Sequence, residues 1–315
     1  MSRTVGVLLM SFGTAAAAED IPGYLARIRG GVAPPDDLVA EFQRRYRVVG
    51  GSPLTRITLQ QAGALQQMLN ATDHGARYHV AVGMRHAPPF IADGLVSLTS
   101  VGAERVVAII MAPQHSPMIM AGYHKALADA QRDGSLVEVI VPGPWHTERK
   151  FLAALAQRVS EAIDRLKPEE RTRVPVLFTA HSLPKAIVEQ EPQYIDMLRV
   201  TARAVAERVW LPDAQWHFAY QSAGHTPQEW LKPDIKDLFP ALANAGHKKV
   251  LIAPVQFLAD HMEVLYDIDV EARQQASKAG IELIRTDMLN TMPIFIEAMA
   301  DVVLRHSKDS RTGKD

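Results

Sequence analysis

Cysteine is missing from the whole 315-residue chain, which excludes disulfides, thiolate metal sites, a cysteine nucleophile and a cysteine-ligated iron–sulfur cluster. Any metal must be held by imidazole, carboxylate, phenol or backbone oxygen. No apolar run reaches the roughly 18 residues of a membrane span, and the hydrophobic part of MSRTVGVLLMSFG is too short for a signal peptide. A soluble, cytoplasmic chain with no integral membrane segment is expected. A surplus of either charge is also absent: 34 basic residues face 35 acidic ones, which gives no general pull toward nucleic acid. Phosphate cradles and common hydrolase signatures are missing as well, since neither GxxxxGK[ST] nor GxGxxG, HExxH or GxSxG occurs.

What the chain does have is alternation. Short apolar runs (VGVLLMSF, YHVAVGM, RVVAIIMAP, LVEVIVPG, VPVLFTAH, QWHFAYQS, KKVLIAPVQF and IELIRTD) are separated by helical patterns such as ITLQQAGALQQMLNAT, RKFLAALAQRVSEAIDRLK and TMPIFIEAMADVVLRH. That order predicts an α/β fold with parallel sheets flanked by helices, its strands in two sets of four. The two sets are alike in detail. His86 and Pro88, a helix, and a strand ending at Ala112-Pro113 recur as His225 and Pro227, a helix, and a strand ending at Ala253-Pro254. A duplicated unit of this kind is expected to bind ligands beyond the carboxyl ends of its strands, in a cleft between two domains.

One such strand end opens into ADHMEVLYDIDVE, residues 259–271. On an α-helix Asp260, Glu263, Asp267 and Glu271 share one stripe, beside an apolar stripe of Val264, Leu265 and Ile268. Like charges four residues apart repel by about 0.2–0.5 kcal/mol per pair, so a positive partner is wanted. Either the stripe is a solvated face or it handles cations. His181, at the end of VPVLFTAH, is placed by the same sheet logic within reach of Glu263. Imidazole and carboxylate together can ligate a divalent first-row metal, and each can take a proton. Asp267 and Glu271 would trail outward as a cation or proton route, with Asp269 left as a surface charge. In the first half, YLARIRGGVAPPDDLVAEFQRRYRVVGGSPL is longer than a crossover needs and carries Arg27, Arg29, Arg44, Arg45 and Arg47. Arginine forks match carboxylates, and Ser52 adds a hydroxyl beside them.

Taken in order, MSFGT, GGSPL, GMRHAPPFI, TAHSLP, HTPQEWLKPD and ADHMEVLYDIDVE resemble the ferrochelatases over nearly the whole chain, and within them the bacterial coproporphyrin III enzymes. The resemblance implies two similar Rossmann-like (chelatase-like) domains: residues 1–146 with a porphyrin-binding insert, joined by the C-terminal helix 291–307, and residues 147–290 carrying the metal-handling residues. It implies insertion of Fe²⁺ into coproporphyrin III, with His181 and Glu263 as catalytic and metal-handling groups. The outer acid row falls on Asp267 and Glu271, and substrate contacts fall on Phe12, Arg29, Arg45, Tyr46, Ser52 and Tyr123. Phe12 departs from the pattern. Many coproporphyrin enzymes have a tyrosine there that can ligate product iron, and His115, Met118 and Met120 of PQHSPMIM are the donors to consider instead. A monomer without permanent cofactor is expected, with Fe²⁺ as a substrate and a downstream heme-pathway enzyme as a partner. The competing readings are a protoporphyrin IX ferrochelatase, a cobalt chelatase, and a tetrapyrrole-binding protein without chemistry.

Overall fold

The computed structural model describes residues 3–132, 137–189, 191–224 and 228–308; His225 and Pro227 lie outside them. All eight expected strands form: β1 (Arg3–Ser11), β2 (Ala76–Met84), β3 (Arg105–Ile110), β4 (Glu138–Ile140), β5 (Val176–His181), β6 (Trp216–Gln221), β7 (Lys249–Pro254) and β8 (Glu282–Arg285). They make two parallel four-stranded sheets, ordered β2-β1-β3-β4 and β6-β5-β7-β8. The second order is the first shifted by four strands, which is the duplicated α/β architecture read from the sequence. β1, β3, β5 and β7 are buried along nearly their whole length, as near-continuous apolar runs in a doubly covered parallel sheet require. The edge strands β4 and β8 are shorter and more open. LVEVIVPG accordingly contributes only Glu138–Ile140.

The chain divides into two compact units. The first comprises Met1–Arg44, Ser52–Trp145 and Asn290–Asp315; the second comprises Arg45–Gly51 and His146–Leu289. The C-terminal helix Pro293–Ser307 belongs to the first unit, where the Tyr78 and Ser307 hydroxyls are hydrogen-bonded at 3.1 Å. The long insert after β1 folds into the helices Ile21–Ile28, Asp36–Val49 and Leu54–Asn70. Its glycine pairs are helix ends. Gly30, Gly31, Gly50 and Gly51 all have positive φ. The Gly31 N–H donates to Ala26 O at 2.8 Å, and Gly51 N–H to Tyr46 O at 2.8 Å. Both bonds close the left-handed C-terminal turn that glycine favours. No helix among the described residues is long and apolar enough to cross a membrane.

In the first unit Leu8, Met10, Ile91, Leu95, Val106 and Ile110 share a core. The helix Ile91–Ser100 lies close to β2, and two glycines make that approach possible. A Cβ added at Gly83 would sit 2.7 Å from the Ile91 Cα, and one at Gly94 would sit 2.5 Å from the Leu8 side chain and 2.8 Å from the Val82 carbonyl. Gly83→Ala is expected to destabilise the protein by about 2 kcal/mol through overpacking, since backbone rather than a movable side chain is in the way. Urea denaturation checks this; a midpoint equal to the native one would contradict the tight approach.

Candidate active site

In the second unit, β5 ends at His181 and β7 at Pro254, on neighbouring paired strands. The loop after β7 supplies Gln256, whose Oε1 accepts the His181 backbone N–H at 2.8 Å and whose Nε2 donates to the Tyr194 hydroxyl. This fixes the strand end that carries the imidazole. The His181 Nδ1 faces the Ser182 carbonyl, so Nδ1 holds the proton and the Nε2 lone pair is left for other work. Nε2 lies 3.7 Å from Glu263 Oε2. That is too long for a hydrogen bond, yet one ion with bonds of about 2.0–2.2 Å to nitrogen and oxygen can touch both atoms.

Glu263 has a second imidazole beside it. His261 Nε2 is also 3.7 Å from Glu263 Oε2, while its Nδ1 lies 3.0 Å from the Ala259 carbonyl and its ring stands edge-on to Phe257. Burial would raise the Glu263 pKa, but His181, His261 and Arg45 together pull it down to about 2. His261 shows the converse. Burial would lower its pKa, and the adjacent Glu263 carboxylate raises it overall. The sequence reading passed over His261, although its spacing of two from Glu263 at a strand end was the available signal.

The acidic run does not continue as an α-helix. Val264–Ala272 is π-helical, followed by the short α-helix Arg273–Lys278. The wider i→i+5 winding is rare and concentrates at functional sites. It buries Val264, Tyr266, Ile268 and Ala272, so Tyr266 joins the buried side and Leu265 is only half-buried. Side-chain attachments flank the segment. Arg45 sits over the Tyr266 ring at 4.8 Å from its centroid and reaches Asp267 at 3.3 Å. On the other side Arg285 grips Asp269 with two hydrogen bonds of 2.8 and 2.9 Å, and lies 3.3 Å from Asp260. Asp260 therefore leaves the expected stripe, and Asp269 is the partner of a largely buried guanidinium rather than a solvated surface charge.

Asp267 is the buried member of the row, its side chain 10% exposed. Its carboxyl is raised to about 6, because burial disfavours the charge and Glu263 repels it, against a pull from Arg45. Glu271 lies one turn further on and is half-buried.

The first unit places its candidates as follows. Phe12, just past β1, is 40% exposed, and its ring packs against His86 at 4.6 Å between centroids. Arg29 is exposed at the end of the helix Ile21–Ile28. Its neighbour Arg27 is committed to structure, donating to the His86 carbonyl at 2.7 Å, and Arg44 forms a fork on Glu41. Ser52 lines a cavity of about 520 Å³ beside Thr14 and Ala15. Tyr123 is buried at 4% exposure within the core, with Arg85 over its ring, and burial pushes its phenol far above the usual range. Met118 is exposed, His115 half-buried and Met120 buried. Tyr46, in the second unit, is buried at 3% exposure.

The ferrochelatase family model matches residues 4–307. The chain belongs to the ferrochelatase family. It is 37% identical to the ferrochelatase of Deinococcus radiodurans over 98% of this chain and 97% of that one. It is also 37% identical to the coproporphyrin III ferrochelatase of Geobacillus thermodenitrificans over 96% of each. Among solved structures, SirB from Bacillus subtilis with Fe³⁺ superposes with a TM-score of 0.59 at 12% identity, covering 99% of both chains. That likeness concerns the fold.

The acids of the second unit are thus embedded in a definite charge order, and Asp267 gives it a measurable signature. A carboxyl whose folded pKa, about 6, exceeds its ordinary value of 3.8 costs the native state stability as pH rises past the lower value, and the cost is complete above the higher one. Asp267→Asn removes it. The variant is expected to be more stable than the native protein at pH 7.5, by on the order of 2 kcal/mol, with the gain gone by about pH 4. Urea denaturation at the two pH values checks this, and a variant no more stable at pH 7.5 would contradict it.

Proposed function

We propose that the chain is a coproporphyrin III ferrochelatase, inserting Fe²⁺ into coproporphyrin III to form Fe-coproporphyrin III (coproheme). The observation that carries this reading is the His181–Glu263 pair, an imidazole lone pair and a carboxylate 3.7 Å apart at the carboxyl ends of a parallel sheet. The overall reaction takes Fe²⁺ and the free porphyrin to the metalloporphyrin and two protons released from pyrrole N–H groups. Glu263, with a pKa of about 2, stays a carboxylate at working pH; it is suited to holding the incoming cation and poorly suited to keeping a proton. His181 is the first proton acceptor. Asp267, titrating at about 6, is matched to passing protons on near neutrality, with Glu271 beyond it toward solvent.

For the substrate, Arg29 and Ser52 are assigned to carboxylates, with Arg45, Tyr46 and Tyr123 as further contacts. Arg29 is exposed, whereas Arg45 is half-buried. Arg45 would exchange Asp267 for substrate, and Tyr46 and Tyr123 would have to emerge from burial. The relative from Geobacillus thermodenitrificans supports coproporphyrin III, while the one from Deinococcus radiodurans, named simply a ferrochelatase, keeps protoporphyrin IX as the second reading. The proposal extends to a cytoplasmic monomer with no permanent cofactor, handing its product to a downstream heme-pathway enzyme.

Anaerobic turnover of coproporphyrin III, protoporphyrin IX and sirohydrochlorin with Fe²⁺ and Co²⁺ tests the substrate; the highest kcat/KM is expected for coproporphyrin III with Fe²⁺. His181→Ala and Glu263→Gln should each lower kcat by about 100-fold or more. Near-native turnover in both folded variants would remove the site. Arg29→Ala should raise KM for coproporphyrin III about tenfold, a loss of uniform binding, and an unchanged KM would remove it from the substrate contacts.

A further inference from the structure

The helix Leu54–Asn70 has two faces with different fates. Ile57, Thr58, Gln61, Ala62 and Leu65 are buried. Ser52 just ahead of the helix, with Thr55, Arg56, Leu59 and Gln60 on it, falls at the i, i+3, i+4, i+7, i+8 spacing of a single face. These five residues line the cavity of about 520 Å³ that follows β1.

Its lining is selective. Arg56 is the one charged side chain among the lining residues, and they include no aspartate or glutamate. The Arg56 guanidinium makes one hydrogen bond, from Nη1 to Gln60 Oε1 at 3.4 Å, and has no carboxylate partner among the described residues. Leu59 is 50% exposed, a large apolar side chain left open one turn from that cation. A cavity with one guanidinium, three hydroxyls (Thr14, Ser52 and Thr55) and an open apolar patch is complementary to a ligand with an apolar body and a carboxylate arm. Arginine's planar fork suits that arm better than a point charge would.

We infer that Arg56 is a substrate-recognition residue, taking one carboxylate arm of the porphyrin while Leu59 contacts its apolar body. The inference rests on the porphyrin reading above and adds to it a cation outside the arginine-rich insert. A guanidinium–carboxylate contact on a half-open surface is worth roughly a tenfold change in affinity.

Coproporphyrin III binding by fluorescence quenching, at low and high salt, tests this on the native protein and on Arg56→Ala and Arg56→Lys. Arg56→Ala is expected to bind about tenfold more weakly at low salt, and the difference should shrink at high salt. Arg56→Lys should recover part of the loss. Arg56 is exposed, so both variants are expected to melt with the native protein, and circular dichroism verifies that they are folded. Native protein that binds porphyrin, beside a folded Arg56→Ala with affinity within twofold of it, would overturn this inference alone. Native protein that binds no porphyrin would overturn the proposed function and this inference with it.

Discussion

Carboxylates crowded onto one helical segment repel one another and lose hydration, and the second unit is arranged to offset both costs. Four of the acids are divided among three sets of basic partners. Glu263 lies 3.7 Å from each of two imidazoles, Asp267 lies against Arg45, and Asp260 and Asp269 share Arg285. A regular α-helix would present Asp260 with the other stripe acids on one face. Asp260 instead lies ahead of the helix, and within the π-helical segment Val264–Ala272 Asp267 meets Arg45 while Asp269 meets Arg285. Two acids four residues apart thereby acquire different chemistry: Glu263 is held ionised, whereas Asp267 titrates near neutrality. Environment sets the roles of the two carboxyl groups, as it does where paired acids divide acid and base work.

The sheet makes this arrangement rigid. β5 and β7 are buried along their lengths, so their carboxyl ends are positioned by backbone pairing rather than by loop packing. Gln256 ties the end of one strand to the chain leaving the other. The imidazole thus sits at the end of a buried strand, and Glu263 follows the loop that Gln256 ties to that strand end. The first unit repeats the same strand order but ends its strands in an exposed phenylalanine and the Arg85–His86 pair. One scaffold, used twice, carries two unlike sets of side chains.

Much of this was legible in the sequence. The eight strands were visible because central parallel strands are apolar without interruption, and the pairing of His181 with Glu263 followed from placing both at strand ends of one sheet. The contacts that depend on side-chain reach were not. Arg45 was visible as a cation, but its attachment to Asp267, 222 positions away, leaves no local signal. The π-helical turn left no local signal either: acids spaced four residues apart suit an ordinary α-helix, and the partners of Tyr266, Asp267 and Asp269 lie outside the segment. The resemblance puts Tyr123 and Tyr46 among the substrate contacts, but a phenol is compatible with either burial or exposure, and the fold buries both.

Phe12 shows how the first unit's strand end differs chemically from the second's. A phenol at that position would offer oxygen, but the phenyl ring covers His86 instead. His86 has its pKa lowered to about 4, first by burial and then by the charges of Arg85 and Arg27, so its imidazole is neutral at physiological pH. It is nevertheless 6% exposed, and its backbone is fixed by bonds from its N–H to the Phe12 carbonyl and from Arg27 to its own carbonyl. Met120 is buried in the core, and Met118 projects outward from the helix Pro117–Arg132. The accessible surface at Phe12 is consequently an apolar ring face backed by a neutral imidazole. The two strand ends thus differ in kind: this one presents an apolar ring face, whereas the titratable groups of the second unit gather around Glu263.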